Sequence, residues 1–158
     1  MTRILMVCLG NICRSPLAEG ILRHKIEQKG LNAKVDSVGT ANYHVGEHPD
    51  PRSIQKAREY GINISKLVGR QFSLNDFDNF DHIYVMDQSN YRDVISLARN
   101  EEDKKKVELI LNRAFPNLNM PVPDPYYGGD EGFENVYQLL DKACEVIANS
   151  IEQETFSK

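Results

Sequence analysis

Cysteine is scarce here: Cys8, Cys13 and Cys144 are the only three in a chain of 158 residues. An odd, widely spread set does not build the disulfide framework of a small secreted domain, and it fits a reducing cytosol. Long apolar runs are missing too. No stretch approaches the roughly 18 apolar residues of a membrane span, and the opening run Ile4 to Leu9 is too short for the core of a secretory signal. Neither sign of charge dominates, with 19 Lys and Arg against 23 Asp and Glu and a net charge of −4. That balance makes a poor general binder of nucleic acid, so any anion site must be local. Both common nucleotide fingerprints, Gly-x4-Gly-Lys-Ser/Thr and Gly-x-Gly-x2-Gly, are absent. Metal-ligand spacing is lacking as well, because Cys8 and Cys13 are no CxxC pair and His24, His44, His48 and His82 follow no ligand pattern. What is present is ordinary: 41% hydrophobic and 27% charged residues. Such a chain is expected to be a soluble, cytoplasmic protein in which residues 1–158 form a single domain.

The apolar residues are arranged as alternating strands and helices. Ile4 to Val7 run without polar alternation, as in a strand buried on both faces of a parallel sheet. After the turn Cys8 to Ser15, Leu17, Ile21, Leu22 and Ile26 share one helical face, with Pro16 in the first turn and Gly30 at the end. A second strand is expected at Lys34 to Val38. A helix opened by Asp50-Pro51 and closed by Gly61 follows. His82 to Met86 reads as a third strand, with Asp87 capping a helix that carries Tyr91, Val94, Ile95 and Ala98. Val107 to Leu111 reads as a fourth strand, and the mixed-charge run Glu101 to Lys106 before it as a solvated turn. Phe133, Val136, Tyr137, Leu140, Cys144, Ile147 and Ile151 keep helical spacing over about five turns, which makes Cys144 a core residue. This alternation predicts a doubly wound α/β sandwich with a small parallel sheet, whose ligands sit at the carboxyl ends of the strands.

The loop after the first strand carries the chemistry. It reads Cys8-Leu9-Gly10-Asn11-Ile12-Cys13-Arg14-Ser15-Pro16. A compact turn at a helix N-terminus points backbone N–H groups inward, and with the helix dipole they form an anion cradle. Arg14 adds a planar fork of donors that grips two phosphate oxygens at once. A cysteine at the mouth of such a cradle is pushed toward thiolate, the nucleophilic form. Attack on a phosphate monoester then needs a proton donor for the departing oxygen. Asp124, held between prolines in Pro123-Asp124-Pro125-Tyr126-Tyr127, is the candidate, Pro125 biasing it toward an extended backbone. By itself that segment reads more readily as a turn-forming Asp in a Pro/Gly-rich loop, and the loop cysteine reverses that preference.

Val7 to Pro16, the segment Asp124-Pro125-Tyr126-Tyr127 and the order of strands and helices resemble the low-molecular-weight protein tyrosine phosphatases. The resemblance implies a three-layer sandwich with a four-stranded, flavodoxin-like sheet of order 2-1-3-4. It also implies a cysteine-dependent phosphatase with no metal or organic cofactor. Cys8 would be the nucleophile, Arg14 the phosphate clamp, and Asp124 the general acid and then base. Leu9, Gly10, Asn11, Ile12, Cys13 and Ser15 would bind phosphate, with Tyr43 and Tyr126 as aromatic walls and Ser37 and Tyr127 in support. Ser15 would hydrogen-bond the sulfur, and under peroxide Cys13 would capture an oxidised Cys8 as a disulfide. The implied partners are phosphotyrosine-containing proteins and a cognate tyrosine kinase, with no nucleic acid and no membrane.

Two other classes share this loop style. A thioredoxin-coupled arsenate reductase needs further relay cysteines, and Met86 to Val94 holds none. A phosphocysteine carrier or phosphotyrosine-binding module needs no proton donor such as Asp124, and it would keep its phosphate.

Overall fold

Ile4, Leu5, Met6 and Val7 have no solvent exposure at all, because they form the middle of a central strand. In the computed structural model, which describes residues 1–156 apart from the side chain of Tyr127, β1 (Thr2–Cys8) lies between β2 (Ala33–Gly39) and β3 (His82–Val85). Beyond β3 lies β4 (Val107–Leu109). All pairings are parallel, as the alternation predicts, and the order is β2-β1-β3-β4, as the family resemblance implies. Side chains alternate across the sheet. Ile4, Met6 and Cys8 enter one core with α1 (Arg14–Lys29) and α6 (Gly129–Gln153), while Leu5 and Val7 enter another with Phe72, Phe77 and Val94. Helices thus cover both faces. No described helix is long and apolar enough to cross a membrane.

Several ends follow their sequence signals. α1 stops at Gly30, which adopts the left-handed φ of 61°. Asp50 caps α2 (Pro51–Glu59) by accepting from the Arg52 N–H, and Asp87 caps α4 (Gln88–Ser96) by accepting from the Asn90 N–H. Other expectations need correction. The fourth strand ends at Leu109, where the 3-10 turn Ile110–Arg113 begins. That turn sends two consecutive side chains, Ile110 and Leu111, into the core beneath α6, which strand alternation forbids. Glu101 to Lys106 is not a plain turn. It contains the short helix α5 (Glu101–Lys105), capped by Asn100, with acidic residues in its first turn and lysines at its end. The five-residue helix α3 (Asn75–Asn79) was not anticipated from sequence; it buries Phe77.

α2 and the start of α6 are joined by a buried cation. Lys56 is 2% exposed, and its Nζ lies 3.0–3.1 Å from carboxylate oxygens of Glu59, Asp130 and Glu134. The Tyr60 hydroxyl and the Gln138 amide donate to the same Glu134 carboxylate, and Tyr60 stacks on Tyr137 at 3.8 Å. Hydrogen bonds from Tyr60, Gln138 and Lys56 hold the Glu134 carboxyl down at about 2, from an ordinary 4.5. A depressed carboxylate stabilises the fold above its unfolded value and loses that contribution as pH falls toward the folded one. Between about pH 5 and about pH 3, wild-type stability should therefore drop more steeply than that of Glu134→Gln. At neutral pH that variant should already be about 1 kcal/mol less stable. Urea midpoints at both pH values measure this, and parallel losses in the two proteins would remove Glu134 from the account.

Candidate active site

The loop between β1 and α1 is held in a shape that its residues would not adopt unaided. Thr40 and Ala41 donate their N–H groups to the carbonyls of Cys8 and Leu9, both at 2.9 Å. A side chain on Gly39 would stand 2.7 Å from the Leu9 oxygen, so only glycine lets β2 end against the loop. Asn11 takes a left-handed φ of 60°, a region where asparagine is among the few tolerated side chains. It is 4% exposed, and its amide is fully engaged. Oδ1 accepts from the Arg70 N–H at 3.1 Å, while Nδ2 donates to Ser15 Oγ at 2.8 Å and Ser37 Oγ at 3.0 Å.

Bond directions follow from the Arg70 end. A backbone N–H only donates, so the Asn11 carbonyl must face it and the NH2 must face the serines. Each serine oxygen accepts one proton from Asn11 and keeps its own to give. Ser37 gives its proton to Glu19 Oε1 at 2.6 Å. Ser15 Oγ stands 3.0 Å from Cys8 Sγ and 3.4 Å from the Val38 carbonyl. Its one hydroxyl proton has two acceptors within reach, the sulfur and the carbonyl, and a bond to the sulfur is strongest where that sulfur is a thiolate. The Asn11 N–H approaches the same sulfur at 3.3 Å. Cys8 Sγ thus accepts from the Asn11 N–H and lies within hydrogen-bond distance of the Ser15 hydroxyl.

Arg14, at the start of α1, is 5% exposed. Its Nη1 donates to Asp87 Oδ2 at 2.8 Å and to the Val122 carbonyl at 2.9 Å. Asp87 divides its oxygens, giving Oδ1 to the cap of α4 and Oδ2 to Arg14. The guanidinium is therefore steered by two elements across the sheet's carboxyl edge. Cys13, the N-cap of α1, makes no side-chain capping bond. The first-turn N–H groups, which have no partner within a helix, remain for an anion.

Cys8, Leu9, Gly10, Ile12, Cys13 and Arg14 line one side of a cavity of about 200 Å³, with Tyr43, His44, Asp124 and Tyr126 on the other. Asp124 has an extended backbone (φ −77°, ψ 115°), as Pro125 predicts, and its Oδ1 accepts from the Tyr126 N–H at 3.0 Å. Tyr43 and Tyr126 are exposed at the rim. Asn11, Ser15 and Ser37 lie behind the loop as its support. The Tyr127 side chain is outside the described residues. Burial, then the charges of Asp50, Cys8 and Asp124, push the Cys13 thiol up to about 12, which keeps it a neutral thiol. Cys144 is buried in the core, as expected.

Three residues escaped the sequence reading. His44 rests against Gly10, whose added Cβ would meet the imidazole Cδ2 at 3.0 Å; nothing in its spacing marks it. Glu19 is 2% exposed, bound by Ser37 and Arg23, and burial raises its carboxyl above the ordinary value. Its position four residues after Ser15 on one helix was the available signal. Asp87 was read as a cap without its second partner.

Fold and loop together define a class of doubly wound α/β proteins that carry a cysteine and an arginine beside one cavity at the carboxyl end of the central strand. Known proteins narrow that class. The family model described as low molecular weight phosphotyrosine protein phosphatase matches residues 3–157. A Schizosaccharomyces pombe protein of that name is 45% identical over 143 residues, covering 88% of this chain and 90% of its own. The human protein of the same name is 41% identical over 147 residues, covering 91% and 92%. A protein tyrosine phosphatase structure from Entamoeba histolytica superposes with a TM-score of 0.90 at 35% identity, covering 98% of this chain and 99% of that one. The Bacillus subtilis YfkJ structure gives 0.89 at 38% identity, covering 98% and 97%. The chain belongs to the low molecular weight phosphotyrosine protein phosphatase family, and it is an enzyme of the protein-tyrosine phosphatase class.

The direction of the Ser15 bond is testable without substrate. If Ser15 gives its proton to a Cys8 thiolate, Ser15→Ala removes a hydrogen bond to a charged acceptor, worth about 1.5–3 kcal/mol. Alkylation of Cys8 by iodoacetamide at about pH 6 should slow by tenfold or more in the variant, at roughly 1.4 kcal/mol per decade. Equal rates, read by mass spectrometry of the labelled peptide, would mean that the Ser15 proton points elsewhere.

Proposed function

We propose that this chain hydrolyses phosphotyrosine and other aryl phosphate monoesters through a phosphocysteine intermediate on Cys8. One observation carries the reading: the Cys8 sulfur accepts from the Asn11 N–H and meets the Ser15 hydroxyl at hydrogen-bond distance in the cavity that Arg14 and Asp124 also line. In the first step the sulfur attacks phosphorus in line. The phosphorus–oxygen bond breaks, and Asp124 gives its proton to the departing phenolate, releasing tyrosine. In the second step water attacks phosphorus and surrenders a proton to the Asp124 carboxylate. The phosphorus–sulfur bond breaks, phosphate leaves, and the returning thiolate is received by the Ser15 hydroxyl. Arg14 and the loop N–H groups balance the charge that spreads over the equatorial oxygens in both steps.

The aromatic rims suit a flat phenyl ring, and Asp124 lines the same cavity as Tyr43 and Tyr126. The natural substrates are phosphotyrosine-containing proteins, opposed by a cognate tyrosine kinase, and the enzyme works in the cytoplasm as one phosphatase domain spanning residues 1–158. Catalysis draws on this chain's own side chains.

The proton donor must be protonated while the substrate is a dianion, whose second ionisation lies near 6. Activity against para-nitrophenyl phosphate is therefore expected to follow a bell with an acidic optimum. Cys8→Ser should abolish turnover, and Asp124→Ala should lower it by about 10²–10⁴-fold. Undiminished hydrolysis by Cys8→Ser would refute the covalent route.

A further inference from the structure

Arg52, on the first turn of α2, lies outside the cavity lining, yet it connects the two halves of the site. Its Nη1 donates to the Tyr126 carbonyl at 2.6 Å. Its guanidinium carbon lies 4.9 Å from the ring centroids of both Tyr126 and Phe133. Behind it, Nε and Nη2 bond the two oxygens of Asp50 at 3.1 and 3.0 Å. Asp50 in turn donates its N–H to the carbonyl of Ile12 at 2.8 Å, and Ser53 donates to the carbonyl of Cys13 at 3.2 Å. The start of α2 is therefore stitched to the cysteine loop. Arg52 reaches from that anchored turn to the short 3-10 turn Pro125–Tyr127.

Tyr126 is the shared link. Its N–H donates to Asp124 Oδ1, and its carbonyl accepts from Arg52. A bidentate, planar guanidinium between two rings has little freedom to rotate, so it fixes both the carbonyl and the ring of Tyr126. We infer that Arg52 is a positioning residue for proton transfer: it holds the Asp124-bearing turn in register with the Cys8 loop. The idea rests on the role assigned to Asp124 above. It adds a specific expectation, because a misaimed acid harms only those substrates whose leaving group needs a proton.

The test is a leaving-group series with four proteins: wild type, Arg52→Met, Arg52→Lys and Asp124→Ala. Methionine keeps an apolar stem on Phe133 and removes the donors; lysine restores charge and one donor without the planar stack. The readout is kcat/KM for phenyl phosphate, a poor leaving group, against 2,4-dinitrophenyl phosphate, which departs without protonation. Arg52→Met should lose about tenfold or more on phenyl phosphate and less than about threefold on the dinitrophenyl ester. Arg52→Lys should recover part of the loss, and inhibition by inorganic phosphate should stay within about twofold of wild type, since the cradle itself is untouched. Equal losses on both esters, no loss on either, or a phosphate inhibition constant raised about tenfold would overturn the inference while Asp124→Ala remains selective. If Asp124→Ala shows no selectivity either, the acid assignment fails and takes this inference with it. Urea midpoints of the Arg52 variants, compared with the kinetics, separate a loosened fold from a misaimed turn, because loss of folded enzyme lowers both esters alike.

Discussion

The hydrogen-bond chain from the Arg70 backbone through Asn11 to Ser15 is the constraint on which the site depends. It does two jobs with one amide. It holds Asn11 in a left-handed conformation that the backbone alone disfavours, which curls the loop into a bowl. It also makes both serine oxygens acceptors, so that the Ser15 proton is left for Cys8 Sγ or the Val38 carbonyl. Glu19 completes the arrangement from the far side: by taking the Ser37 proton it leaves the Ser37 oxygen as an acceptor for Asn11. A buried carboxylate is costly, and burial raises this one. Two hydrogen bonds, one from Ser37 and one from Arg23, offset that cost.

Around this frame the sheet acts as a ruler. β1 delivers Cys8 to its carboxyl end, between β2 and β3, where the strand order reverses. The two neighbours then supply opposite walls. β2 continues into the segment that grips the loop backbone, and the residue after β3 leads to Asp87, which steers Arg14. Buried parts of the site are thus tied to the core, whereas Tyr43, Tyr126 and Asp124 stand on surface turns. A division of labour would follow from this: the proposed phosphate bowl is anchored in the core, and the rim proposed to meet the leaving group is braced from α2.

Much of this was legible in the sequence because the relevant signals are local. An unbroken apolar tetrad predicts a doubly buried strand, and Ile4 to Val7 is one. Proline at a first turn, glycine beyond a last turn and aspartate at a cap mark α1, α2 and α4 within a residue or two. The loop from Cys8 to Ser15 carries its meaning in adjacent residues, so the bowl could be anticipated. What stayed hidden depends on long-range contact. Asp87 lies 73 positions from Arg14 and Arg52 lies 74 from Tyr126, separations that no periodicity encodes. The end of β4 at Leu109 was missed because Ile110 and Leu111 look like continued strand, and only the position of α6 makes both face one core. Helix α5 was missed because its opposed charges, favourable at helix ends, read as mere solubility.

A covalent bond between phosphorus and the Cys8 sulfur is the central chemical claim, and it can be sought directly. The enzyme should be mixed with excess aryl phosphate, quenched within the first turnovers, and its peptides mapped by phosphorus NMR and mass spectrometry. The account predicts a phosphorothiolate on the peptide that contains Cys8 and on no other. Phosphate found on an oxygen or an imidazole, or released with no trapped enzyme species while turnover proceeds under the same quench, would contradict it.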